Sequence, residues 1–288
     1  MKKALLLTSV SLLSLTSCSD SSKDLSNVKN VVEQRLHTED QMMEIDGQSI
    51  YFKKIGQKKP PLLMIHGYGG SSDGFQKIYP GLSQSFTIIA VDVLGFGRSS
   101  KPLNFYYSFP NQANLYYKLM RKLGYKQFTL LGHSMGGEIA LNATYLYPHA
   151  IKKLILTDAT GAESLTKGAS SPKPQLDSSL ASVGRPTPYK EEAVKNNRKD
   201  EAHLKELHQQ WPRRLRIAAA EMKTPTLIIW GRKDKSVPYQ DGETFHELLP
   251  NSTLRIIENG EHAPFRQEPE EYLDQVQQFL KLPKKERS

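Results

Sequence analysis

The chain has 288 residues, 38% hydrophobic and 24% charged, with a formal net charge of +9. That length and balance describe a soluble globular body able to bury one large core. The basic residues are scattered, and short clusters such as Arg213-Arg214 and Lys284-Lys285 lack the aromatic interleaving or fold motif of a nucleic-acid binder, so no nucleic-acid partner is expected.

Met1-Lys2-Lys3 followed by the apolar stretch Ala4 to Leu15 has the pattern of an export signal, too short to span a bilayer. Leu15-Thr16-Ser17-Cys18 resembles the bacterial lipobox. The resemblance implies a lipoprotein signal peptide over residues 1–17 and lipid on Cys18, the single cysteine of the chain. An ordinary secretory peptide cut nearby, with Cys18 incidental, is the competing reading. Residues 18–40 begin with a Ser/Asp/Lys/Asn-rich run and read as a tether. The expected location is the cell envelope, membrane-anchored through the lipid; Ser19 after the cysteine points to the outer membrane if the cell is Gram-negative.

The folded body begins with an alternating stretch around Asp46-Gly47, a two-residue hairpin signal. Pro61 to Ile65 and Phe86 to Val91 are continuous apolar runs, as strands buried on both faces should be. The first runs into the loop His66-Gly67-Tyr68-Gly69-Gly70, and the second into Asp92 and a glycine-rich turn. Leu115, Leu119 and Leu123 place a helix over Asn111 to Leu123, closed by Gly124. A strand from Phe128 then leads into Gly132-His133-Ser134-Met135-Gly136 and a helical pattern from Glu138 to Tyr147. Further strands are predicted at Lys153 to Thr157, Thr226 to Trp230 and Leu254 to Ile257, and a final amphipathic helix at Pro269 to Leu280. The alternation implies an α/β fold, with a mostly parallel sheet and helices on both faces. The core is expected over residues 41–160 and 224–283, with residues 161–223 as a cap insertion. Its first part is rich in Ser, Pro, Lys and Gly, and a long solvated loop is the alternative there; Leu204 to Met222 carries one helical apolar stripe.

Strand, tight turn and helix around Ser134 form the pattern of a nucleophile elbow, where the residues two before and two after must be small. Gly132 and Gly136 are. A serine hydroxyl needs a base to take its proton and a carboxylate to hold that base. Among eight histidines, His262 lies in a loop between the last strand and the last helix. His133 points away from the serine hydroxyl by adjacency, and His66 reads as a loop brace. Asp234, just past a strand, is the expected acid, with the order Ser134, Asp234, His262. Asp158, also at a strand end, is its rival, and otherwise an anchor for the loop entering the cap. Asp92 is read as a brace for its own turn. The N–H groups of Met135 and Tyr68 are the candidate oxyanion donors.

These residues together resemble the α/β-hydrolase superfamily, in its branch with a His-Gly-x oxyanion loop and a Gly-His-Ser-Met-Gly-Gly elbow. The resemblance covers about residues 42–282 and departs in the short, polar cap. It implies a serine hydrolase with no cofactor and no metal, acting on a small-molecule ester through an acyl-enzyme. Serine rather than aspartate at the nucleophile position sets it apart from haloalkane dehalogenase and epoxide hydrolase relatives. A lipase, a carbon–carbon bond hydrolase or a lactonase would use the same triad. A surface lipoprotein that binds a ligand on this scaffold without turning it over is the alternative from a different class.

Overall fold

Asp46 and Gly47 both take positive φ, 49° and 74°, the left-handed pair that a two-residue hairpin loop requires. They join β1 (Thr38–Ile45) to β2 (Gln48–Ile55), paired antiparallel in full register. In this computed structural model the described residues are 36–281, apart from 103–104, 106 and 163–218. The expected export signal and Cys18, the expected tether up to residue 35 and nearly all of the expected cap lie outside them. The end of the expected tether is corrected: residues 38–40 belong to β1, whose Thr38 pairs with Ile55.

The chain continues through β3 (Pro61–Ile65), a 3-10 turn (Ser72–Phe75), α1 (Tyr79–Ser83) and β4 (Thr87–Val91). It then forms α2 (Phe109–Lys122), β5 (Phe128–His133), α3 (Met135–Leu146) and β6 (Ile151–Thr157). The last part is β7 (Thr226–Gly231), α4 (Gln240–Leu248), β8 (Ser252–Ile257), α5 (Pro264–Gln267) and α6 (Pro269–Lys281). The eight strands form one sheet in the order β1-β2-β4-β3-β5-β6-β7-β8. β2 meets β4 antiparallel, and from β4 to β8 every pairing is parallel.

Side-chain alternation along the strands divides the core between the two faces of this sheet. Leu63, Ile65, Ile89 and Val91 join one cluster with Leu115 and Leu119 of α2 and Ile139 of α3. Leu62, Met64, Ile88 and Ala90 join the other, with Leu82 of α1, Phe265 of α5 and Tyr272 and Val276 of α6. Burying each such side chain contributes about 1.5–3 kcal/mol, so the unbroken apolar runs of β3 and β4 are the sequence's answer to a strand covered on both faces.

Local signals set the ends of α2. Ser108 accepts from the Asn111 N–H at 3.3 Å, Pro110 occupies the first turn where no donor is missed, and Gly124 at φ 86° lets the chain leave. Every parallel strand points its C-terminal end the same way, so the loops after β3, β4, β5, β6, β7 and β8 gather along one edge of the sheet.

Candidate active site

Ser134 stands between β5 and α3 with φ 53° and ψ −123°, a conformation that costs a non-glycine residue about 1–3 kcal/mol. Its neighbours hold it there. The Ser134 N–H donates to the Thr157 carbonyl at 2.9 Å, and the Ser134 carbonyl accepts from Gly137 at 2.8 Å and Thr160 at 3.1 Å. The glycines are required by close approach. A Cβ on Gly132 would come within 2.3 Å of the Gly136 carbonyl oxygen, and one on Gly136 within 2.3 Å of the Ile65 carbonyl oxygen.

His262 follows β8 and faces this serine. Asp234, being a carboxylate, can only accept, so the proton of the imidazole sits on Nδ1 and is donated to Asp234 Oδ2 at 2.7 Å. Nε2 is then the acceptor for the Ser134 hydroxyl, at 3.0 Å. Asp234 Oδ1 accepts two backbone N–H groups, from Ser236 at 2.7 Å and Val237 at 3.0 Å. Burial alone would raise this carboxyl, but the bonds from His262, Val237 and Ser236 outweigh it and hold it below the usual carboxylate range. The Asp234 side chain is fully buried, whereas that of His262 keeps 30% of its surface. The imidazole is the member open to solvent.

The loop after β3 lies against the elbow, since a Cβ on Gly67 would sit 2.8 Å from Ser134 Cβ. Neither the Tyr68 N–H nor the Met135 N–H donates to another described residue, and Met135 begins α3, where the first amides have no helical partner. His66 shapes this loop: Nδ1 donates to the Gly67 carbonyl at 2.7 Å and Nε2 accepts from the Val93 N–H at 2.8 Å. Burial lowers it to about 4, so it is neutral at pH 7. Asp92 ties the same loop to the turn after β4. It accepts from the Ser72 N–H at 2.7 Å, from the Arg98 N–H at 2.8 Å and from Arg98 Nε at 2.9 Å.

Ser134, Asp234 and His262, expected together from the sequence, form one hydrogen-bonded chain, and His66 and Asp92 each hold the loops they were expected to brace. Two features were not legible in the sequence. His133 Nε2 donates to the His262 carbonyl at 2.6 Å, and burial lowers this imidazole to about 3, so it stays neutral. Its position beside the serine was visible, but the partner lies 129 residues away. Asp158 is the second, bonded across to β7. Its Oδ1 accepts the Gly231 N–H at the end of β7, at 2.9 Å. Only the pairing of β6 with β7 reveals that contact.

Known proteins bear on this arrangement. A hydrolase of Bacillus subtilis, YugF, is 28% identical over 272 residues, covering 82% of this chain and 96% of its own. Lipase 3 of Moraxella sp. is 29% identical over 238 residues, covering 75% of each. The crystal structure of a bacterial membrane phospholipase A superposes with a TM-score of 0.65 at 25% identity, covering 90% of this chain and 91% of its own. The alpha/beta hydrolase fold family matches residues 60–178 and 165–269, which include the elbow, the loop after β3, Asp234 and His262. The sheet order, the gathered loops and this match lead to one assignment: the chain belongs to the alpha/beta hydrolase family.

Proposed function

We propose that the protein is a serine hydrolase of carboxylic esters, with Ser134 as nucleophile, His262 as base and Asp234 as acid. The observation that carries this reading is the chain Ser134 Oγ–His262 Nε2, His262 Nδ1–Asp234 Oδ2, at 3.0 and 2.7 Å. Ser134 Oγ attacks the ester carbonyl carbon while its proton passes to His262 Nε2. The carbonyl oxygen takes up the negative charge, facing the N–H groups of Tyr68 and Met135. Collapse expels the alkoxide, which leaves as the alcohol with the proton from His262. Water then attacks the acyl-serine by the same route in reverse, releasing the acid and restoring Ser134. Asp234 fixes the tautomer and stabilises the imidazolium formed at each stage.

The substrate is a soluble ester of short or medium acyl chain. The sequence of residues 161–223 supports this: it is largely polar and carries one apolar pattern, Leu204 to Met222, less than a broad lipid-facing lid calls for. The relatives named lipases support the other reading, interfacial hydrolysis of long-chain lipid. A rate measured against tributyrin concentration separates them: the soluble-ester reading expects no jump at the solubility limit, and the lipase reading a sharp one. Ser134→Ala should lower turnover of p-nitrophenyl butyrate by about 10⁴-fold or more while the protein stays folded. Full activity in that variant would remove the mechanism.

The N-terminal pattern supports export and a lipid anchor on Cys18, which would hold the enzyme at the envelope membrane without making membrane lipid its substrate. Cys18→Ser should leave the precursor unprocessed or release the protein from the membrane fraction. Processed, soluble wild-type protein with no added mass on Cys18 would exclude the anchor.

A further inference from the structure

Asp158 closes β6 with φ 43° and is fully buried. Its N–H donates to the Ile229 carbonyl at 3.0 Å, and Oδ1 accepts the Gly231 N–H at 2.9 Å. Oδ2 receives no hydrogen bond from any described residue. Asp234 is its neighbour across Gly231: that residue gives its N–H to Asp158 Oδ1, and its carbonyl accepts the Asp234 N–H at 3.2 Å. The two carboxyls interact, and two interacting buried carboxyls resist ionising together, so one of them keeps a proton.

The donors decide which. Asp234 receives three hydrogen bonds, one of them from His262, whereas Asp158 receives one. Among the described residues, Tyr272 of α6 is a further titratable group beside it, its phenol raised by burial and by Asp158. Among the described residues, no lysine or arginine pairs with Asp158. A carboxylate offers about four acceptor sites, and three on Asp234 are taken.

We propose that Asp158 is a positioning residue: its Oδ2 carries the shared proton and donates it to the Asp234 carboxylate, completing the acid's shell of donors and fixing the oxygen that faces His262. Burial, opposed only in part by the Gly231 bond, places the Asp158 carboxyl well above the usual carboxylate range, in agreement with that protonation. The assignment of Asp158 as donor rests on the reading of Asp234 as the triad acid.

The test uses two variants, Asp158→Asn and Asp158→Gly. Asparagine keeps the acceptor for Gly231 and supplies an N–H donor to Asp234, and it tolerates positive φ. Glycine removes the donor without straining the backbone. The rate of labelling by a fluorophosphonate probe is followed against pH, and the thermal midpoint likewise. Asp158→Asn should label at the wild-type rate with the same acidic limb, and Asp158→Gly about 10- to 100-fold more slowly.

The midpoints report the proton itself. A carboxyl whose folded value is raised above its unfolded value near 3.9 binds more protons when folded, so its contribution is favourable at low pH and is lost as pH rises. The midpoint of Asp158→Asn should therefore gain on wild type as pH rises above about 4. An acidic limb that moves to lower pH in Asp158→Asn is the response to losing a negative charge beside the imidazole, and it would overturn the proposal. So would a midpoint difference that does not grow with pH. Failure of the wild-type protein to label at all would instead strike the triad reading, and the midpoints would still decide whether Asp158 holds a proton.

Discussion

β6 and β7 lie side by side, and each leads into an aspartate at the same edge of the sheet. Asp158 follows β6 at once, whereas Asp234 stands three residues beyond Gly231, in a turn that curls two backbone N–H groups onto it. Both side chains are withdrawn from solvent, and yet their carboxyls shift in opposite directions. Burial is common to the two, so the difference comes from the donors. A strand end presents an acid to the site; the turn after it decides whether that acid is an anion.

Exchanging carboxylate for amide breaks this comparison most strongly at Asp234. Asp234→Asn removes the charge that fixes the Nδ1 tautomer, and it should cost about 10⁴-fold in turnover. The same change at Asp158 should cost almost nothing, as argued above, and p-nitrophenyl butyrate kinetics on both variants would rank them. Reversal of that order would move the triad acid to the end of β6.

A weaker break comes from the histidine's backbone. His133→Ala removes the donor to the His262 carbonyl, so the loop after β8 loses a buried tie worth about 1–3 kcal/mol. Turnover should fall about 10- to 100-fold through misplacement of His262. Unchanged kinetics in the folded variant would show that the loop is held by its other contacts.

Asp92 sharpens the contrast through acid stability. Burial would raise its carboxyl, but hydrogen bonds from Arg98 and Ser72 hold it lowered. A lowered carboxyl contributes stability above its unfolded value near 3.9, and that contribution is lost as pH falls through the folded value. Asp92→Asn should therefore be less stable than wild type at pH 7, with a gap that narrows on acidification, the opposite trend to Asp158→Asn. Thermal midpoints from pH 7 down to about 3 would show it. The smallest effect is expected at Arg232, two residues from the acid but paired with Glu258 in solvent. Arg232→Ala should leave the labelling rate unchanged.

Much of this was legible in the sequence because the signals were local. The apolar run Pro61 to Ile65 is β3 to the residue, and Asp46-Gly47 is the tip of the first hairpin. The short helices over Tyr79–Ser83 and Pro264–Gln267 escaped because a single turn shows no periodicity. α4 escaped for a related reason: it buries only Gly242 and Phe245, too thin a stripe to stand out. At the site, Ser134, Asp234 and His262 were readable from residue type, small neighbours and strand ends. The contacts of His133 with the His262 carbonyl and of Asp158 with Gly231 were not, since each joins segments that only sheet order brings together.

The central claim is that Ser134 is the nucleophile, and peptide mapping after fluorophosphonate labelling tests it most directly. The account predicts one phosphonyl adduct, on the peptide carrying Ser134, absent from Ser134→Ala and strongly reduced in His262→Ala. A folded wild-type protein that hydrolyses esters but carries its adduct on another residue, or that labels equally well as Ser134→Ala, would contradict it.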